Sequence, residues 1–194
     1  RLRKLWFMKS PHSFIIKPVK GRRYDNIKKI GDIDFITSSS KEDHKVSNRF
    51  AEVIEVPIGY KGDIKKGDTL VVHHNVFKYY NDMRGRERSS HNFWKDDIFF
   101  VDFNQFFLYH NGVDWNTTGK YCFIKPSDTK DYYLNKFTEE EPLVGKIRYI
   151  TNKLLGLGLK EGDEIAYTPD SEYEFTIEGE KLYRVNSENI CILF

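Results

Sequence analysis

Alanine is almost missing from this chain. Among 194 residues it occurs only at Ala51 and Ala166. A chain so poor in the strongest helix former, and rich in Phe, Tyr and Ile, is not a helical bundle. Cysteine is scarce too, with only Cys122 and Cys191, so a disulfide scaffold is excluded. Each of the two sits in an apolar run and reads as a reduced, buried thiol, which fits a cytoplasmic setting. No apolar run approaches the roughly 18–20 residues that a membrane-crossing helix needs. Charge of one sign is also lacking. Lys plus Arg is 31 and Asp plus Glu is 29, a formal net charge of +2, which argues against a nucleic-acid binder working by bulk charge. The opening Arg1–Phe7 has no long apolar core and no small-residue cleavage site, so it is not read as a signal peptide. Met8 is read as the natural start.

What is present is aromatic: 15 Phe, 12 Tyr and 3 Trp. Such a chain buries a real core and is not disordered. Its length allows one or two domains. Short apolar or alternating runs dominate, separated by Gly, Pro, Asn and Asp. Strands are predicted over Phe14–Lys17, Ala51–Val56, Thr69–His73, Ile98–Phe103, Phe106–Tyr109, Tyr121–Lys125, Gly145–Ile150, Glu164–Thr168, Tyr173–Ile177, Lys181–Val185 and Ile190–Leu193. Glu178-Gly179-Glu180 reads as a hairpin turn. Many short strands with frequent turns imply an all-β sandwich or barrel.

An internal repeat organises these strands. Phe14-Ile15-Ile16-Lys17-Pro18 recurs as Cys122-Phe123-Ile124-Lys125-Pro126. Ala51–Val56 matches Gly145–Ile150, and Ile64–Val71, with its Lys65-Lys66-Gly67-Asp68, matches Leu159–Ala166, with Lys160-Glu161-Gly162-Asp163. Ile98–Val101 followed by Asn104–Leu108 matches Leu182–Val185 followed by Glu188–Ile192. Four collinear matches make a duplication, with copies at residues 8–112 and 119–194 and a polar seam near His110–Gly119. In each Lys-x-Gly-Asp turn the glycine can take a positive φ without a Cβ penalty, and the aspartate can cap the neighbouring backbone.

The order of these blocks resembles the co-chaperonin family, the GroES-like ten-kilodalton chaperonins. The likeness rests on the two Lys-x-Gly-Asp turns, the two Ile-Lys-Pro strand ends and the closing Asn189-Ile190-Cys191-Ile192-Leu193. It covers most of residues 14–109 and 121–194. It implies two tandem irregular β-barrels, a homo-oligomeric ring, and a chaperonin (GroEL-like) ring as the partner that supplies ATP hydrolysis. In that family a long mobile loop after the first strand carries a short apolar segment that docks in a groove on the chaperonin. Here the connection Gly21–Phe50 holds Ile33, Phe35 and Ile36 inside a polar, Ser-rich stretch, and these match the docking segment by position and type. The same three residues also suit another strand packed on the barrel. Burying one such side chain contributes roughly 1.5–3 kcal/mol before the cost of ordering the loop. The second copy's connection, Ser127–Leu143, is shorter; its Tyr132, Tyr133 and Leu134 are either a reduced docking island or core. The connections Pro57–Asp63 and Thr151–Gly158 are too short for a roof hairpin, and short-roofed members of the family are familiar from bacteriophages.

Other signals are weak. The insertion His74–Asp97, with Arg84, Arg86 and Arg88, reads as a solvated hairpin. His73, His74 and His91 match no zinc spacing, and alternation along a strand sends His73 and His74 to opposite faces. No phosphate loop or nucleophile motif occurs, Asp96 and Asp97 read as exposed, and neither catalysis nor a cofactor is expected. The second functional class is a viral structural or assembly protein that reuses the fold for oligomeric contacts.

Overall fold

Phe14-Ile15-Ile16 shows no polar alternation because every one of its side chains is buried, on both faces of its strand. Leu70–Val72, Phe106–Leu108 and Cys122–Ile124 behave the same way, whereas Phe50–Glu55, Glu164–Tyr167 and Tyr173–Ile177 alternate. The computed structural model describes residues 8–24, 27–30, 33–36, 47–128 and 140–194. The chain divides into two compact units, Arg1–Trp115 and Asn116–Phe194, and is nearly all-β.

The first unit contains β1 (Phe14–Pro18), β2 (Ile27–Ile30), β3 (Ile33–Ile36), β4 (Phe50–Glu55), β5 (Thr69–Val72), β6 (Tyr79–Asn81), β7 (Glu87–Ser89), β8 (Phe93–Lys95), β9 (Ile98–Val101) and β10 (Phe106–His110). The strand β11 (Trp115–Thr117) spans the boundary. The second unit contains β12 (Tyr121–Asp128), β13 (Glu140–Tyr149), the one-turn helix α1 (Asn152–Gly156), β14 (Glu164–Tyr167), β15 (Tyr173–Ile177), β16 (Glu180–Asn186) and β17 (Ile190–Leu193). The main sheets run β11-β10-β5-β4-β1-β9-β8 and β15-β16-β12-β13-β14-β17. Neither closes on itself among the described residues.

Read from its other end, the second sheet is β17-β14-β13-β12-β16-β15, which matches β10-β5-β4-β1-β9-β8 strand for strand. The register agrees as well. Ile15, Ile16, Lys17 and Pro18 face Glu55, Val53, Glu52 and Ala51. Their counterparts Phe123, Ile124, Lys125 and Pro126 face Tyr149, Ile147, Lys146 and Gly145. Both ladders slip at the same place, between Ile15 and Ile16 and between Phe123 and Ile124. The turns repeat too. The Val53 amide donates to the Asp68 carbonyl at 2.9 Å and that of Ile147 to Asp163 at 3.0 Å, while the amides of Gly67 and Gly162 return bonds to Val53 and Ile147. Both glycines have a positive φ, 94° and 89°. A turn that needs a left-handed residue fed by the same apolar strand builds the same corner twice.

The cores explain the aromatic excess. Phe14 lies edge-on to Tyr60, Phe103 and Phe106, with ring centroids 5.0–5.2 Å apart, and Phe77 packs on Phe99 at 4.8 Å. Each such pair adds about 0.5–1.5 kcal/mol beyond burial alone. The second core joins Cys122, Ile124, Ile147, Leu154, Ile165 and Val185, with Phe123 and Phe175 packed edge-on at 5.5 Å. Glu178 and Gly179 both have positive φ and form a two-residue turn between β15 and β16. The helix α1 starts where the Thr151 side chain accepts the Leu154 amide. Among the described residues no helix is long and apolar enough to cross a membrane.

The stretch His110–Gly119 is more than a polar seam. It includes β11, which extends the first sheet beyond β10, and the Trp115 ring packs against His110 and Phe50.

Candidate functional site

The connection between β1 and β4 is where the two copies differ most, so the site is built from its ends inward. After Pro18 the chain turns sharply, with Lys20 and Gly21 both at positive φ. The two arms then run side by side. Tyr24 bridges to Ser47, and the Asn48 amide donates to the Arg23 carbonyl at 2.8 Å. The buried Asn48 side chain donates to the carbonyls of Val19 and Arg22, at 3.2 and 2.7 Å, and accepts the Phe50 amide at 2.9 Å. An amide in this place satisfies three backbone groups at once.

Between these arms lies a hairpin. β2 pairs with β3 in a separate two-stranded sheet, with Ile27 opposite Ile36, Lys28 opposite Phe35, Lys29 opposite Asp34 and Ile30 opposite Ile33. Ile33, Phe35 and Ile36, singled out by position and type, therefore stand together on one strand. Among the described residues that strand pairs with β2 and with neither main sheet. Tyr132, Tyr133 and Leu134 lie outside the described residues.

Arg23 is a tightly held charge in the first unit. Its guanidinium lies 4.5 Å from the rings of Tyr79 and Phe93 and 4.9 Å from that of Phe99. It donates to Asp97 through Nε at 3.0 Å and pairs with it through Nη2 at 2.9 Å, and Nη1 donates to the Ser89 hydroxyl at 3.0 Å. Its side chain is only 9% exposed. Asp96 and Asp97, both at positive φ, form the turn between β8 and β9 that delivers this carboxylate. Asp97 is thus an ion-pair partner, which adjacency in sequence did not reveal. Arg23, Asp97 and Tyr79 carry no local motif; residues so far apart in the chain meet only after folding.

The insertion that follows β5 is a hairpin of β6 and β7 closed by Asp82, which accepts the amides of Arg84 and Arg86, both at 2.9 Å. Those bonds, the Arg86 amide foremost, hold its carboxyl below the usual range. His73 and His74 do not go to opposite faces. Their rings lie 4.1 Å apart, because β5 ends at Val72 and strand alternation no longer applies. No cluster of metal-ligating groups occurs among the described residues.

In the second unit the charged groups pair with one another. Lys181 holds Glu140 at 2.6 Å, and the Tyr183 hydroxyl donates to the same carboxylate at 2.7 Å. Glu180 bridges Lys125 and Arg148. The Lys181 bond lowers the pKa of Glu140, and the Lys125 bond that of Glu180. Burial pushes the Cys122 thiol up to about 12, an inert structural cysteine. An open depression of about 310 Å³ is lined by Lys125, Lys146, Arg148 and Glu161, but Glu180 already engages two of those cations.

No protein-family model matches the sequence, and no curated protein matches it. The functional reading therefore rests on the repeated sheet and on what is added to its first copy.

Proposed function

We propose that this protein is a co-chaperonin-like accessory that engages an ATP-driven chaperonin through the apolar segment Ile33, Phe35 and Ile36. The observation that carries the reading is the asymmetric duplication. One six-stranded sheet occurs twice with the same strand order and turn, and in the first copy the longer first connection holds a strand pair bearing that segment. In this reading each sheet, with its loops, is the wall of a GroES-like irregular barrel. A pre-paired strand lowers the ordering cost of docking. Each buried side chain contributes roughly 1.5–3 kcal/mol, so a single segment binds weakly. Several segments on one assembly bind tightly through effective concentration and still release when the partner changes state. Whole chains supply the sheets in pairs, so a ring is built either from an even number of sheets or from two tiers. The chain works in the cytoplasm, beside the chaperonin and its ATP, and supplies no catalytic group or cofactor of its own.

Assembly has a candidate surface in β17. Its outer edge pairs with no strand among the described residues, and Ile192, Leu193 and Phe194 are 50%, 53% and 69% exposed. Its counterpart β10 is covered by β11. That edge also favours the second reading, a viral structural or assembly protein built on the same fold, because an open apolar strand edge invites pairing with another chain.

The separating experiment is co-sedimentation with a bacterial chaperonin, with and without ATP. Nucleotide-dependent association supports the accessory. Large particles in light scattering with no chaperonin association at saturating concentration support the structural protein instead.

A further inference from the structure

The first copy carries two additions that the second lacks. One is the long connection Gly21–Phe50, against the shorter one after β12. The other is the insertion between β5 and β8, against the short link Thr168–Glu172 between β14 and β15. Independent decorations of one sheet need not touch. These two are joined by every kind of contact available. Arg23 of the connection packs on Tyr79 and donates to Ser89, both in the insertion, and it also meets Phe93, Asp97 and Phe99 of β8, β9 and their turn. Tyr24 stacks on Tyr79 at 6.1 Å, and its hydroxyl accepts the Tyr79 amide at 2.8 Å. From the other arm, the Ser47 hydroxyl donates to the His74 carbonyl at 3.3 Å.

We propose that Arg23, through Tyr79 and Ser89 of the insertion and Asp97 of the β8–β9 turn, is a latch that ties the root of the long connection to the insertion and to the sheet, with Arg23 as the positioning residue for presenting the β2–β3 strand pair. A buried guanidinium with flat ring neighbours and two acceptors is a directional joint. It sets both where the arm leaves the body and at what angle. A connection rooted only by its backbone would sample many exit directions, and each one lost on docking would weaken binding. The root is closed on its other side by Asn48, so the latch acts where the first arm of the connection meets the insertion. The presentation role rests on the chaperonin-binding reading; the latch itself does not.

The test uses Asp97→Asn, which removes the charge from a half-exposed carboxylate and keeps its shape, with Arg23→Lys as the variant that keeps the charge and loses the planar fork. Amide exchange is followed by mass spectrometry at Tyr79 and Asn48, alongside β4 and β5 as internal reference. The expected result is exchange about tenfold faster at Tyr79 and Asn48 with the reference strands unchanged, and a rise at least as large in Arg23→Lys, which loses the planar fork and its stacking. Exchange that rises equally in β4 and β5, or nowhere, overturns the latch and leaves Arg23 as ordinary core. In the chaperonin assay, Asp97→Asn is expected to bind about fivefold more weakly than the unaltered chain. Equal affinity overturns the presentation role. Failure of the unaltered chain to bind overturns the proposed function itself, and the exchange arm then decides the latch alone.

Discussion

The Asp68 carboxylate accepts the amide of Lys65 at 2.7 Å. The second sheet repeats this bond between Asp163 and Lys160 at 2.8 Å. The turn is a corner cut twice to one pattern, and the pattern requires a left-handed glycine just before each aspartate. A Cβ at Gly67 or Gly162 meets nothing within 4 Å, so only backbone strain opposes a side chain there. Gly67→Ala and Gly162→Ala are each expected to cost about 1–2 kcal/mol, measured by chemical denaturation. Each is expected to weaken its own unit, and the double variant to show the sum.

The turn was legible in the sequence because its chemistry is local: Lys, Gly and Asp in four residues, followed by an apolar strand. The strand order was legible for a related reason, since Phe14–Pro18 and Cys122–Pro126 carry their register with them. The hairpin within Gly21–Phe50 was open to two readings, because Ile33, Phe35 and Ile36 suit a docking segment and a strand equally well. α1 went unseen because five residues carry no periodicity. β11 was hidden in a stretch of polar residues, where Trp115 was its one strand-like signal. The Arg23 latch was beyond reach, because nothing near Arg23 in the chain announces Asp97 or Tyr79.

Alkaline pH should weaken the second unit through Cys122. The unfolded thiol ionises at about 8.5, whereas burial pushes the folded one up to about 12. Between those values the folded state keeps a proton that the unfolded state has lost. Stability therefore falls as pH rises across that window, by up to about 1.4 kcal/mol per pH unit. Tyr167, likewise pushed up to about 12 by burial, adds a second loss that begins above about pH 10, where an unfolded tyrosine ionises. Cys122→Ala is expected to lose stability at neutral pH through its cavity and to flatten the decline between pH 8.5 and about 10. Denaturation midpoints measured against pH for both proteins check this.

The β17 edge predicts assembly. Ile192→Lys puts a charge on the exposed edge strand without touching the core. It is expected to lower the particle mass seen by light scattering while leaving thermal stability within about 0.5 kcal/mol. An unchanged mass removes β17 from the assembly surface.

Phe35→Asp places a charge in the middle of the proposed chaperonin-binding segment Ile33, Phe35 and Ile36. Co-sedimentation with a bacterial chaperonin is measured with ATP and without it, for the unaltered chain and for Phe35→Asp. The expected result is nucleotide-dependent association of the unaltered chain that falls at least about tenfold in the variant, the loss from placing a charge where an apolar side chain would be buried. Association that is equal for the two chains, or absent for both at saturating concentration, contradicts it.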